Sequence, residues 1–170
     1  MATGSVQRVE TMVKEPTASS FVFRGTPQGW VLALVWHPRL ECLMLAGGHV
    51  EDFEHPGEAA VREILEETGW VARLLPGPGA ALPAGAPHAG VPVPWWVVEF
   101  PVSPDNHTGE RHVHVDHLFL ALAEGDGPVQ EPVHEVRWLS EAEVAQDPEV
   151  ADDLRVYAKE LFRFVALLKA

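Results

Sequence analysis

Cysteine is nearly absent from this chain. The single Cys42 cannot close an internal disulfide, which excludes the cross-linked scaffolds of small secreted domains. It sits in Leu40-Glu-Cys-Leu-Met-Leu-Ala46, where a free thiol reads as apolar packing. Long apolar runs are missing too: no segment reaches the roughly 18 residues needed to cross a bilayer, and the first fifteen residues carry no signal-peptide core. The cytoplasm is the expected compartment. Cations are scarce, with 12 Lys and Arg against 25 Asp and Glu for a net charge of −13. A field of that sign repels nucleic-acid backbones and anionic membranes, so neither is an expected partner, and a phosphate-bearing ligand would need a metal or local cations. No internal repeat occurs. What is present, 46% hydrophobic and 22% charged residues over 170 positions, is enough to bury the core of one domain.

Residues 1–18 are polar and unpatterned and read as a flexible arm or a short edge element, leaving 19–170 as the single domain. Phe21-Val-Phe23 is a short strand candidate. Trp30-Val-Leu-Ala-Leu-Val-Trp36 is a continuous apolar run of the kind covered on both faces, and Leu40 to Ala46 reads as its antiparallel partner across the turn at His37-Pro38-Arg39. Residues 57–68 are rich in helix formers, with Pro56 near the first turn and Gly69 just past the end. From Pro76 to Pro94, six Pro and four Gly in 19 residues mark a long loop. Strands are expected at Trp95–Phe100, about Arg111 to Ala123, and Val133–Leu139. Ser140 with Glu143 is a capping box opening a short helix. Val150, Leu154, Tyr157, Leu161, Phe164 and Leu168 form one stripe of a last helix. Strands, one central helix, more strands and terminal helices fit a mixed β-sheet sandwiched by helices, an α/β fold.

The stretch from Gly48 to Trp70, GHVEDFEHPGEAAVREILEETGW, carries the chemistry. On a helix Glu63, Glu66 and Glu67 stand at i, i+3 and i+4, so their carboxylates leave one face. Close like charges cost a helix a few tenths of a kcal/mol per pair, so the cluster calls for a compensating cation. Carboxylate oxygens are hard donors suited to Mg²⁺ or Mn²⁺, which commonly share their coordination sphere with substrate phosphates. Arg62, four residues before Glu66, can orient a neighbouring carboxylate by charge-assisted hydrogen bonds.

The 23 residues match G-x5-E-x7-R-E-U-x-E-E-x-G-U, with U apolar, at Gly48, Glu54, Arg62, Glu63, Ile64, Glu66, Glu67, Gly69 and Trp70. This pattern resembles the signature of the Nudix hydrolases, with Trp70 a large aromatic where smaller aliphatics are usual. The resemblance implies a Nudix-type α/β/α sandwich with the signature folded as loop, helix, loop. It further implies a Mg²⁺- or Mn²⁺-dependent cleavage of a nucleoside diphosphate linked to another moiety, X, releasing NMP and phospho-X, or pyrophosphate from a triphosphate. Position by position, Glu63, Glu66, Glu67 and the Gly47 carbonyl resemble the metal ligands. Arg62 resembles the arginine that orients the glutamate beside it, and Glu54 the outer acid. The general base is either Glu63 or an acid beyond the signature, for which Asp116, Glu110 and Glu135 stand as candidates. The expected partner is a small nucleotide such as a nucleotide sugar, an ADP-ribose-like compound or a non-standard NTP; a homodimer stays open.

Two rival classes use the same fold. A catalytically silent module would bind a nucleotide and regulate a partner, with less need of the full glutamate set. An isomerase of the isopentenyl-diphosphate type would need a cysteine in the cleft.

Beyond the signature, His112, His114 and Asp116 share one face of a strand and His117 takes the other. We read this face as bordering the substrate cleft, with a dedicated transition-metal site as the alternative. Trp95 is a candidate for stacking on a nucleobase, against a plain core role. Trp30, Trp36 and Trp138 are assigned to the core. The Gly/Pro loop 76–94 either overhangs the cleft and shapes X or is inert.

Overall fold

The computed structural model describes residues 12–168. Its axis is a parallel pair of long strands, β1 (Lys14–Thr26) and β7 (His112–Ala123), in register from Lys14 opposite Val113 to Phe23 opposite Leu122. On the other edge of β1, its second half pairs antiparallel with β2 (Gly29–His37) and its first half with β4 (Ala46–His49). β3 (Cys42–Met44) and β8 (Val136–Ser140) extend β2, while β5 (Ala72–Leu75) and β6 (Trp96–Val102) share the far edge of β7.

Period-two alternation sorts the sheet into two faces. Ala18, Val22, Phe119 and Ala121 pack against Ala59, Ala60 and Ile64 of α1 (Pro56–Thr68). Phe21, Phe23, Leu118 and Leu120 pack on the opposite side against Leu154, Ala158, Leu161 and Phe162 of α3 (Asp152–Val165), with α2 (Glu141–Gln146) beside it. The result is the expected mixed sheet between helical layers. Helix α1 begins where a capping box closes: His55 Nδ1 accepts from the Gly57 and Glu58 N–H groups, and Glu58 accepts from the His55 N–H. It stops at Gly69, whose left-handed φ of 74° suits glycine and whose added Cβ would lie 2.2 Å from the Gln130 carbonyl oxygen.

Several boundaries differ from expectation. Residues 14–18 are not a loose arm but the start of β1; Glu15 and Thr17, which alternate with Phe21 and Phe23 on one face, are polar, which erases the apolar alternation that would have marked a strand. The rest of the expected arm, residues 1–11, lies outside the described residues. The single strand expected over Leu40–Ala46 is split at Leu45, because the chain leaves the edge of β2 and joins β1. Strand β5 is an addition, and the strand expected over Val133–Leu139 is confined to Val136–Ser140. Among the described residues no helix is long and apolar enough to cross a membrane.

Leu161 is fully buried beneath α3. Leu161→Ala is expected to cost about 2–5 kcal/mol of unfolding free energy, measured by denaturant titration. A cost below about 1 kcal/mol would show that α3 is only loosely seated.

Candidate active site

β4 carries Gly47 and Gly48 before it ends at His49, and the chain then runs on to the start of α1. That brings the backbone of the strand against the glutamate face of the helix. The Gly47 N–H donates to Glu67 Oε2 at 2.9 Å. A Cβ added at Gly48 would lie 2.3 Å from Glu63 Oε1, so only glycine admits that carboxylate. Glu63 and Glu67 are therefore set against the strand, whereas Glu66 is half exposed.

Arg62 is the hub of the cluster. Its guanidinium grips Glu54 with two hydrogen bonds, Nη2 to Oε1 at 2.6 Å and Nε to Oε2 at 3.1 Å. It also donates to Glu63 Oε1 at 2.7 Å, to the His49 carbonyl at 3.0 Å and, at a looser 3.4 Å, to Glu66. A planar fork with donors on three sides suits this task as a lysine could not. The Arg62 hydrogen bonds hold Glu54 below the usual carboxylate range. Burial pushes Glu63 up against the pull of Arg62. Burial also pushes Glu67 up to about 7, a rise that the Gly47 N–H opposes and the charges of Glu63 and Glu66 reinforce. A buried carboxylate beside two others, answered by one guanidinium and one amide, is short of positive charge. Hard oxygen donors in that state fit Mg²⁺ or Mn²⁺.

A cleft of about 620 Å³ opens over Gly48, His49, Arg62, Glu63 and His107, with Phe53 fully exposed at its rim. A neighbouring hollow of about 380 Å³ is lined by His37, Arg39, His49, Asp105, His107 and His134, and His134 Nε2 lies 3.7 Å from Glu67 Oε1. On the α3 side of the sheet a more apolar cavity of about 250 Å³ is walled by Phe21, Phe100, Leu118 and Tyr157, with Glu99, Asp116 and Asp153 as its acids. It lies one strand from the glutamates, since its wall residue Ser19 pairs with Gly47.

The chain matches the family model of the NUDIX domain over residues 13–160. It belongs to the Nudix family. A comparison with curated protein sequences found no match. Among solved structures, a Nudix-family hydrolase of Clostridium perfringens superposes with a TM-score of 0.66 at 18% identity, covering 89% of this chain and 97% of the other. The NUDIX domain of Shewanella oneidensis NrtR, complexed with ADP ribose, gives 0.55 at 19% identity and 94% of both chains. The Ap4A hydrolase of C. elegans gives 0.58 at 13% identity, covering 91% and 99%. At such identities the likeness establishes the fold. The family match, with the signature complete, makes this protein a Nudix-type pyrophosphohydrolase.

Of the residues singled out in the sequence, Arg62, Glu63, Glu66, Glu67 and Gly47 are brought together. Asp116 lines the apolar cavity, 5% exposed, accepting from Thr17 Oγ1 at 2.9 Å, and burial raises its pKa. His112 and His114 meet with their Nε2 atoms 3.1 Å apart, beside Glu15 and His49 rather than beside Asp116. Burial and the neighbouring imidazoles push His114 down to about 4.

Trp95 does not face the cleft. Its indole N–H donates to the Leu75 carbonyl and its ring packs edge-on against Phe164, so it belongs to the core beneath α3. Glu110 is exposed, and Glu135 is exposed and paired with Arg137 at 2.7 Å. Cys42 lines none of these cavities, and burial raises its thiol pKa. The 76–94 loop walls none of them either; its Pro92 leans on Gly57 at the start of α1.

Sequence reading missed Glu15, His49, Asp105, His107 and His134. They come from an arm-like start, a variable signature position, a polar turn and a strand approach, and share no local pattern. The one available signal was the count of nine histidines.

A carboxyl whose pKa is raised by folding favours the native state while protonated, and that advantage is lost as pH rises through the folded value. The metal-free protein is therefore expected to lose thermal stability between about pH 5 and pH 8 in the range set by Glu67, and added Mg²⁺ to raise Tm more at pH 8 than at pH 5. Glu67→Gln should flatten this pH slope in a thermal-shift series; an unchanged slope would assign the titration elsewhere.

Proposed function

We propose that this Nudix protein is a divalent-metal-dependent hydrolase of a small nucleotide derivative. It cleaves a nucleoside diphosphate linked to X and releases NMP with phospho-X, or NMP with pyrophosphate from a triphosphate. The observation that carries the reading is the half-buried Glu67 carboxylate on the Gly47 N–H, flanked by Glu63 and short of positive charge. Mg²⁺ or Mn²⁺ held by Glu63, Glu66, Glu67 and the Gly47 carbonyl would polarise the phosphoryl oxygens and lower the pKa of the attacking water.

The protein's own residues do the rest. Arg62 aims the Glu63 carboxylate by its 2.7 Å hydrogen bond, which makes Glu63 the acceptor we assign for the water proton. Asp116 is committed to Thr17, and Glu135 to Arg137. The cavity over Phe21, Phe100 and Leu118 is largely apolar, with Asp116 and Asp153 among its lining to accept N–H groups, which suits a nucleobase. His134 and Arg39 offer cationic or hydrogen-bonding contacts to phosphate on the other side of Glu67. Phe53 at the rim is available to cover X. The ADP ribose bound by the Shewanella relative and the Ap4A named for the C. elegans one are both of this substrate class.

A panel of ADP-ribose, nucleotide sugars, Ap4A and non-standard NTPs, assayed with Mg²⁺ or Mn²⁺ for NMP release, tests the proposal. Metal-dependent turnover is expected on at least one member. Glu67→Gln should reduce it about 100-fold or more, the scale of losing several kcal/mol of metal-supplied stabilisation. Nucleotide binding without turnover across the whole panel would indicate the silent module.

A further inference from the structure

We propose that Glu15, His49, His112 and His114 form a transition-metal site suited to Zn²⁺, with donors separate from the signature glutamates. The four residues come from the start of β1, the end of β4 and the start of β7, and one ligand atom from each lies within 4.8 Å of all the others. The close distances are 3.0 Å from His49 Nε2 to Glu15 Oε2, 3.1 Å between the Nε2 atoms of His112 and His114, and 3.6 Å from His112 Nε2 to Glu15 Oε2. A tetrahedral zinc with bonds of 2.0–2.1 Å sets its ligand atoms about 3.3 Å apart. The cluster is thus near the spacing a bound ion requires.

Orientation agrees with spacing. His112 is fully buried, and its Nδ1 lies 2.9 Å from the Glu110 carbonyl, which can only accept. That contact places a proton on Nδ1 and, in the neutral ring, leaves the Nε2 lone pair facing inward, the usual arrangement for a metal-ligating imidazole. What Nε2 meets there is His114 Nε2, Asp105 Oδ2 at 3.4 Å and Glu15 Oε2 at 3.6 Å. Carboxylates donate nothing, so of these neighbours only a proton on His114 Nε2, or a metal ion, can meet the inward lone pair of His112. The surroundings hold them there. Glu15 Oε1 accepts from Thr108 Oγ1, Asp105 Oδ1 accepts the backbone N–H groups of His107 and Thr108, and the His107 ring stacks on His49 at 4.1 Å.

Three imidazoles and a carboxylate make a nitrogen-rich set that favours Zn²⁺ over Mg²⁺, the reverse of the all-oxygen glutamate face. Four protein ligands leave no open position, so the role is to brace the fold. The brace reaches the catalytic loop, because the carbonyl of His49 accepts from Arg62. An ion joining His49 to both central strands would fix the loop on which the Arg62 clamp depends.

The test uses the full chain, stripped with a chelator and titrated with Zn²⁺, or with Co²⁺ as a coloured probe, in excess Mg²⁺. About one equivalent of Zn²⁺ per chain is expected, and Co²⁺ should develop the intense visible bands of tetrahedral coordination. His49→Gln and His114→Gln, at partly exposed members, should each lower Zn²⁺ affinity about 100-fold or more with circular dichroism unchanged, while Glu67→Gln keeps the cobalt spectrum. If a histidine variant unfolds, Glu15→Gln carries the same readout. An octahedral spectrum, or binding indifferent to the histidine and Glu15 variants, would show that protons satisfy the cluster and overturn the proposal. Loss of the spectrum in Glu67→Gln would overturn it by assigning the metal to the signature. None of these readouts depends on turnover, so they stand or fall apart from the hydrolase reading.

Discussion

The Arg62 guanidinium is the contact on which the active site depends. In a chain with thirteen excess negative charges, one cation holds Glu54, Glu63 and the His49 carbonyl together. It ties the loop after β4 to the helix that follows and keeps two close carboxylates from repelling each other apart. It does not neutralise the cluster, because Glu67 lies beyond its reach and retains a raised pKa. That residual shortage of positive charge is what the proposed divalent-cation site rests on, so structural support and the proposed chemistry draw on the same imbalance.

The parallel pair β1–β7 supplies the platform. One face of the pair is apolar beneath α1 and rigidly packed by alanines, which lets the helix approach closely enough for its glutamates to meet the Gly47-Gly48 backbone. The other face grades along its length from apolar to polar. Phe21 and Leu118 seat against α3, Asp116 marks the transition, and Glu15, His112 and His114 gather where α3 no longer covers the sheet. An apolar cavity, the cleft over Arg62 and Glu63, and a histidine cluster can therefore sit side by side on neighbouring elements.

The strongest local signals were legible. The 48–70 motif carries its own spacing, the Ser140–Glu143 box and the α3 stripe depend on residues within a few positions, and each reappears in three dimensions. The failures share a cause. Lys14–Ala18 has no apolar pattern because Glu15 and Thr17 put polar groups on one of its faces, and Trp95 stayed open between stacking and core packing because nothing local revealed Phe164 beneath it.

By itself the sequence determined the signature helix, its caps, the set of carboxylates on one face and the family to which they belong, since all of these rest on neighbours within a turn or two. Only the tertiary structure decided that Glu15, His49, His112 and His114 meet, that Asp116 turns instead to Thr17, and that Glu67 is held on the Gly47 amide. Those relations join residues 20 to about 100 positions apart through strand register and burial, which no local pattern encodes.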